Sequence, residues 1–143
     1  MTIEQLSVFV ENKPGKLVEA LETLAKADID LRALSLADTA DFGILRIIVD
    51  SAEKAEKSLR EEGFLVKSSD VIPVSVSDSP GGLASVLRLL ANSGVNVEYT
   101  YAFVSHASKK AYVILRVTDN DSAIKVLTDN SIPLLSESDI IGG

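Results

Sequence analysis

The stretch "ENKPGKL" at Glu11 to Leu17 returns as "SDSPGGL" at Ser77 to Leu83. Sliding the chain against itself by 66 residues sets Pro14, Gly15, Leu17, Leu21, Leu24 and Ala25 on Pro80, Gly81, Leu83, Leu87, Leu90 and Ala91, six identities within one helical stretch. That period exceeds the roughly 20 to 50 residues of a solenoid unit, so each copy reads as a small domain and not as one layer of a stack. A chain of 143 residues has room for two such domains, which we place at residues 1–70 and 71–143.

Both copies present the same order of elements. Leu6, Val8 and Val10 alternate with Ser7, Phe9 and Glu11, and Ile72, Val74 and Val76 repeat the alternation, which predicts a strand in each copy. The Pro-Gly turn follows. Leu17, Ala20, Leu21, Leu24 and Ala25, and again Leu83, Val86, Leu87, Leu90 and Ala91, form one apolar stripe of a helix. A second strand comes next, from about Val95 to Val104 in the second copy, with "AKADIDLRALSL" as its counterpart. The β-rich runs at Gly43 to Val49 and Tyr112 to Val117 complete a hairpin in each copy. A second helix is marked by Ala52, Ala55 and Leu59, then by Ala123, Ile124, Val126 and Leu127, and closing strands are expected from near Phe64 and Leu134. The fold class is therefore α+β: two ferredoxin-like βαββαβ domains in tandem, with antiparallel sheets and helices on one face. "SSDVI" at Ser68 to Ile72 is echoed by "ESDII" at Glu137 to Ile141, so the first closing strand should run into the second copy around Val71 to Pro73. No Gly/Ser spacer separates the copies, and a single rigid body is expected.

Composition narrows the function. The chain has no cysteine, which removes disulfides, thiolate metal sites and Cys nucleophiles together. One His and no GxSxG, HExxH or Walker pattern leave no usual catalytic pairing, so a non-enzyme is expected, with no cofactor and no metal. A net charge of -7 without a basic cluster argues against nucleic acid. No apolar run reaches the ~18 residues of a membrane span, and Met1 to Val10 does not read as a signal peptide, so no membrane partner and a cytoplasmic location are expected.

The Pro-Gly turn suits an anion. A helix N-terminus carries unsatisfied N–H groups and about half a positive charge. Gly15, Gly81 and Gly82 remove side chains that would keep a ligand off the backbone, and Pro14 and Pro80 are expected at the first helical position. The same residues also read as a plain helix start, with Asn12 or Ser79 as the cap.

The two stretches "ENKPGKLVEALETLAKADIDL" and "SDSPGGLASVLRLLANSGVNV" resemble the ACT domain family, and the likeness covers essentially the whole chain. The resemblance implies regulatory domains that bind amino acids near the first turn and pair side by side through their sheets. It implies ligand-binding roles for Asn12, Lys13, Pro14, Gly15, Lys16 and Leu17 in the first copy. In the second it implies them for Ser79, Gly81, Gly82, Leu83 and Asn96. Copy one has Asn12 at the turn and Asp30 at the second strand's start, whereas copy two has Asp78 and Asn96, so a single amino-acid site per chain is expected where Asn12 and Asn96 meet. A neutral or His-like free amino acid is favoured as ligand. Leftover edge strands and apolar strand faces point to a homodimer. The alternative is a regulatory subunit that binds and modulates an amino-acid biosynthetic enzyme, with ligand optional.

Other residues have plainer readings. His106, in "SHASKK", is expected in a solvated hairpin turn. Tyr99, Tyr101 and Phe103 share strand parity with Val95 and Val97, so core or sheet packing is expected. "SAEKAEKSLREEG" reads as a solvated helix with i,i+4 pairs Glu53/Lys57 and Glu56/Arg60, and Arg46 and Arg116 as structural partners for carboxylates.

Overall fold

A computed structural model describes residues 1–103 and 110–141. The elements are β1 (Ile3–Glu11), α1 (Lys16–Lys26), β2 (Leu31–Asp38), β3 (Phe42–Val49), α2 (Ala52–Glu61), β4 (Leu65–Ser77), α3 (Gly82–Asn92), β5 (Val97–Phe103), β6 (Lys110–Val117), α4 (Asn120–Asp129) and α5 (Glu137–Ile141). They sort into two compact units, Glu4–Ser69 and Asp70–Gly143 with Met1–Ile3. His106 lies outside the described residues.

In the N-terminal unit the strands neighbour one another in the order β2-β3-β1-β4. Antiparallel register sets Leu6 opposite Ile47 and Val8 opposite Leu45. Those residues share a face because strand side chains alternate, and α1 and α2 cover that face with Ala20, Leu24, Ala55 and Leu59 to close one core. The C-terminal unit repeats this in the order β4-β6-β5, with Ile72 opposite Leu115 and Val74 opposite Val113. Val86 and Leu90 of α3 and Ala123 and Leu127 of α4 pack on them in a second core. The 13-residue β4 closes the first βαββαβ run and opens the second without a linker, as the sequence predicts.

Helix ends show how closely the copies match. Asp28 N–H donates to Ala25 O and Ile29 N–H to Leu24 O, both 3.0 Å, the 5→2 and 6→1 bonds of a Schellman motif. The same two bonds end α2 at Gly63 and Phe64, α3 at Gly94 and Val95, and α4 at Ser131 and Ile132. All four C′ residues have positive φ, between 58° and 90°.

Two expectations are corrected. The second closing strand is reduced to one bridge, Val74 with Leu134, flanked by Ser75 N–H to Pro133 O (3.0 Å) and Leu135 N–H to Pro73 O (2.9 Å). "ESDII" is then a helix, not a strand. Ser136 and Asp139 form a capping box, with Ser136 N–H to Asp139 Oδ2 at 2.8 Å and Asp139 N–H to Ser136 Oγ at 3.2 Å. In the first copy, Ser68 Oγ instead donates to Glu4 Oε2 across neighbouring strands (2.6 Å). The second correction concerns β5. A register shift between Val97 and Tyr99 breaks the alternation, so Val97 packs on the core while Tyr99, Tyr101 and Phe103 align with Arg116, Ile114 and Tyr112 on the opposite face. Phe103 and Tyr112 meet edge to face at 5.5 Å.

Candidate functional site

Each Pro-Gly segment is a type II β-turn set against a helix. Lys16 N–H donates to Lys13 O at 3.2 Å and Gly82 N–H to Ser79 O at 3.0 Å, with the central glycines at φ 87° (Gly15) and 86° (Gly81). Type II turns place Pro at the first central position and need positive φ at the second. Gly15 and Gly81 are therefore the N-caps, and Pro14 and Pro80 precede the helices instead of opening them. No side chain caps either helix, so Asn12 and Ser79 do not do so. Asn12 is held by its own N–H to Asp41 O (3.1 Å), and Ser79 Oγ lies 2.8 Å from Ser77 Oγ.

Gly82 has a different need from Gly81. A Cβ at Gly82 would lie 2.1 Å from Ser77 O, so the strand carbonyl leans over the first residue of α3. At Gly81 a Cβ meets nothing within 4 Å, and only its φ demands glycine. Lys16 occupies the Gly82 position in the first copy, so the strand does not approach there in the same way.

The second turn opens on a cavity of about 420 Å³ bordered by Ser75, Ser79, Gly81, Gly82, Lys110 and Pro133, among others. Lys110 reaches it because β6 begins opposite Ser77, and it has no ion-pair partner among the described residues. Ser85 Oγ donates to Gly81 O (2.9 Å), fixing the first turn of α3. Early N–H groups of a helix have no intrahelical acceptor. An ammonium, serine hydroxyls and the positive end of α3 thus border one hollow, and their chemistry favours an anionic group.

The equivalent hollow of the first copy is chemically opposite. It measures about 260 Å³ and is bordered by Phe9, Glu11, Glu19, Phe42, Phe64 and Leu65, with Lys16 beside them. Its lysine is engaged, Lys16 pairing with Glu19 at 3.6 Å, and Lys13 of the adjoining turn pairs with Glu11 at 3.2 Å. Leu17 and Leu83 turn inward and pack partly buried on their respective cores.

Asn96 is exposed, and its carbonyl accepts from Thr118 N–H at 3.1 Å. The second turn sits at the Lys110 end of β6 and Asn96 beyond its Val117 end, seven residues or about 23 Å along the strand. Turn and strand start of one unit therefore do not meet. Asn12 and Asp30 are separated likewise: Asn12 follows Glu11, opposite Phe42, while Asp30 N–H donates to Asp50 Oδ1 (3.1 Å) past the far end of β3. Asp30 also pairs with Arg32 at 3.3 Å, and Arg116 pairs with Glu98 at 3.7 Å.

Lys110 and Ser75 escaped the sequence reading. The copies keep a 66-residue offset only as far as the hairpin, after which it is 68: Phe42 answers to Lys110, and Gly63 to Ser131. Tracking the repeat past the hairpin would have exposed them.

A sequence profile of the ACT domain pair matches residues 1–142. The chain belongs to the ACT domain pair family. An ACT pair is a regulatory domain type, not a catalytic one, and the match covers both βαββαβ runs. A solved protein from Bacteroides thetaiotaomicron is 44% identical, with 99% of this chain and 96% of that chain covered and a TM-score of 0.92. The ligand-free regulatory subunit of aspartate kinase from Thermus thermophilus is 17% identical, covering 88% of this chain and 91% of that chain at a TM-score of 0.63. Its Thermus flavus counterpart is 15% identical, covering 88% and 90%, at 0.64. These two share the fold with the ACT pair described here. No curated protein matches the chain. Among the described residues no helix is long and apolar enough to cross a membrane, and no group of His, Cys, Asp or Glu is placed to hold a metal ion.

Proposed function

We propose that this ACT domain pair is a non-catalytic regulatory protein that binds a free amino acid, with the ligand's carboxylate at the Pro80-Gly81-Gly82 turn. The observation that carries this reading is the hollow of about 420 Å³ at that turn, bordered by Lys110, Ser79 and the glycine backbone. Pockets for small ligands begin at about 300 Å³, and a free amino acid is well below drug size. The first turn is the poorer seat, since its hollow is bordered by Phe9, Phe42, Glu11 and Glu19. Lys110 shifts the preference for neutral ligands only in part: it supplies charge for the α-carboxylate, and a neutral side chain leaves the rest of the hollow to the serines. Within its own unit Asn96 lies about 23 Å along β6 from this turn, so the amide pair Asn12 and Asn96 has no part in holding the ligand proposed there. The proposal includes self-association through β2, an edge strand of its unit that exposes Leu34 and Leu36.

Titration calorimetry of the full chain against the twenty amino acids tests this. One amino acid, or one small class, should bind with a 1:1 stoichiometry, and Lys110→Ala should weaken it about 5- to 150-fold, the cost of one charge-assisted hydrogen bond. Absence of binding across the panel, or a Lys110→Ala variant that binds like wild type, overturns the reading. The fold shared with regulatory subunits of aspartate kinase supports the second reading, a subunit that modulates a biosynthetic enzyme.

A further inference from the structure

The hollow at the first turn does not stand alone. It shares Glu19, Glu62 and Phe64 with a second hollow of about 330 Å³ between α1 and α2, bordered also by Glu22, Lys26 and Glu61. Adjoining at Glu19, Glu62 and Phe64, the two hollows together make up a groove on the N-terminal unit. Its apolar end carries Phe42, 45% exposed, and Leu65, 63% exposed, with Phe9 half-buried behind them. Phe64 lies in the middle, packed partly on the core.

The rim is acidic. Five carboxylates, Glu11, Glu19, Glu22, Glu61 and Glu62, border the groove against the two ammonium groups of Lys16 and Lys26. Lys16 is already paired with Glu19, and among the described residues Glu22, Glu61 and Glu62 have no ion-pair partner. Exposed aromatic surface flanked by uncompensated like charge is costly to leave in water and complementary to one kind of surface. The corresponding groove of the C-terminal unit is otherwise: Ser75 stands for Phe9, Ser77 for Glu11, Lys110 for Phe42 and Asn130 for Glu62. The scaffold therefore does not require this chemistry.

From this complementarity we infer that the groove docks a protein segment of apolar-basic character, a bulky apolar anchor seated among Phe42, Phe64 and Leu65 with flanking Lys or Arg against Glu22, Glu61 and Glu62. The inference is independent of amino-acid binding at the second turn. It gives the ACT pair a surface for reaching a partner chain, recognised by charge and an anchor side chain.

The test is selection of random dodecapeptides on phage against the full chain at low salt, followed by fluorescence anisotropy with the best selected peptide. Enriched peptides should carry a Leu, Phe or Trp anchor with neighbouring Lys or Arg. Affinity should fall about tenfold or more in Phe42→Ser and, separately, in Glu62→Lys, and should fall as salt rises from ~50 to ~500 mM, while Lys110→Ala binds as wild type does. Both altered side chains lie on the surface, so two variants with distinct chemistry guard against a folding artefact. The inference is overturned by enriched peptides that are acidic or lack an anchor, by binding unchanged in both variants, or by no selection above background. Sedimentation in which Phe42→Ser alone turns a dimer into a monomer also overturns it, because the occupant is then a second copy of this chain.

Discussion

Asp28 and Gly94 hold the same place, C′ of the first helix in each copy, at φ 58° and 78°. Gly63 and Ser131 hold the corresponding place after the second helix, at 90° and 58°. Left-handed backbone costs a non-glycine residue about 1–2 kcal/mol, so one glycine of each pair is matched by a strained partner. Asp28→Gly and Ser131→Gly should each raise stability by about 0.5–1 kcal/mol after the added chain entropy of glycine, and Gly94→Ala should lower it by about 1 kcal/mol, read as urea midpoints at constant slope. The sequence displays Gly94 and Gly63 as helix stops; Asp28 and Ser131 are legible only through the repeat. The turn glycines were legible as a pair but not as distinct needs, because a single letter cannot say that Gly81 answers a dihedral and Gly82 the approach of Ser77 O.

Alternation and the 3.6-residue stripe place β1, α1, β3, α2, α3, β6 and α4 correctly, since each has a fully buried face that only one period satisfies. Legibility fails where a local bond outcompetes the pattern. The capping box of Ser136 and Asp139 turns "ESDII" into α5, and the shift between Val97 and Tyr99 sends three aromatics to the other face. Capping also sets a pH dependence at α4. Asp119 accepts from Ser122 Oγ at 2.7 Å and from Ser122 N–H at 3.1 Å, and these bonds, the hydroxyl's first, hold its carboxyl below the usual aspartate value. A depressed folded pKa means stability that is present above the unfolded value of about 3.9 and is lost as pH falls through the folded one. Asp119→Ala should therefore lower the urea midpoint at pH 7, and the gap to wild type should narrow as pH falls below about 4. Asp119→Asn, which still caps, should stay near wild type at pH 7. A gap that is constant across this range would assign the effect to packing instead.

Duplication supplies two copies of one plan, and the differences between them fall at the same hollow. One is bordered by Phe9, Glu11, Glu19 and Phe42, the other by Ser75, Ser77, Ser85 and Lys110. The sequence reading anticipated unequal sites from Asn12, Asp30, Asp78 and Asn96, residues on exposed loops where a side chain's neighbours are not encoded in spacing. It missed the contrast at the grooves because β3 and β6 meet the turns through strand pairing, which a fixed 66-residue offset does not follow. Unequal hollows predict unequal use. Gly15→Ala and Gly81→Ala impose the same backbone strain, of about 1–2 kcal/mol, on turns whose Cβ atoms would meet nothing within 4 Å. Gly82→Ala adds a clash with Ser77 O at the second turn alone. Under the proposed function, calorimetry with an amino acid selected from the panel should give one site per chain, with Gly15→Ala retaining wild-type affinity and Gly82→Ala losing about tenfold or more. Circular dichroism checks that all three variants remain folded, and Gly81→Ala measures how much strain at the second turn costs without the clash. Two equal sites per chain, or a loss in Gly15→Ala as large as that in Gly82→Ala, would assign the ligand to both turns and refute the division of labour between the copies.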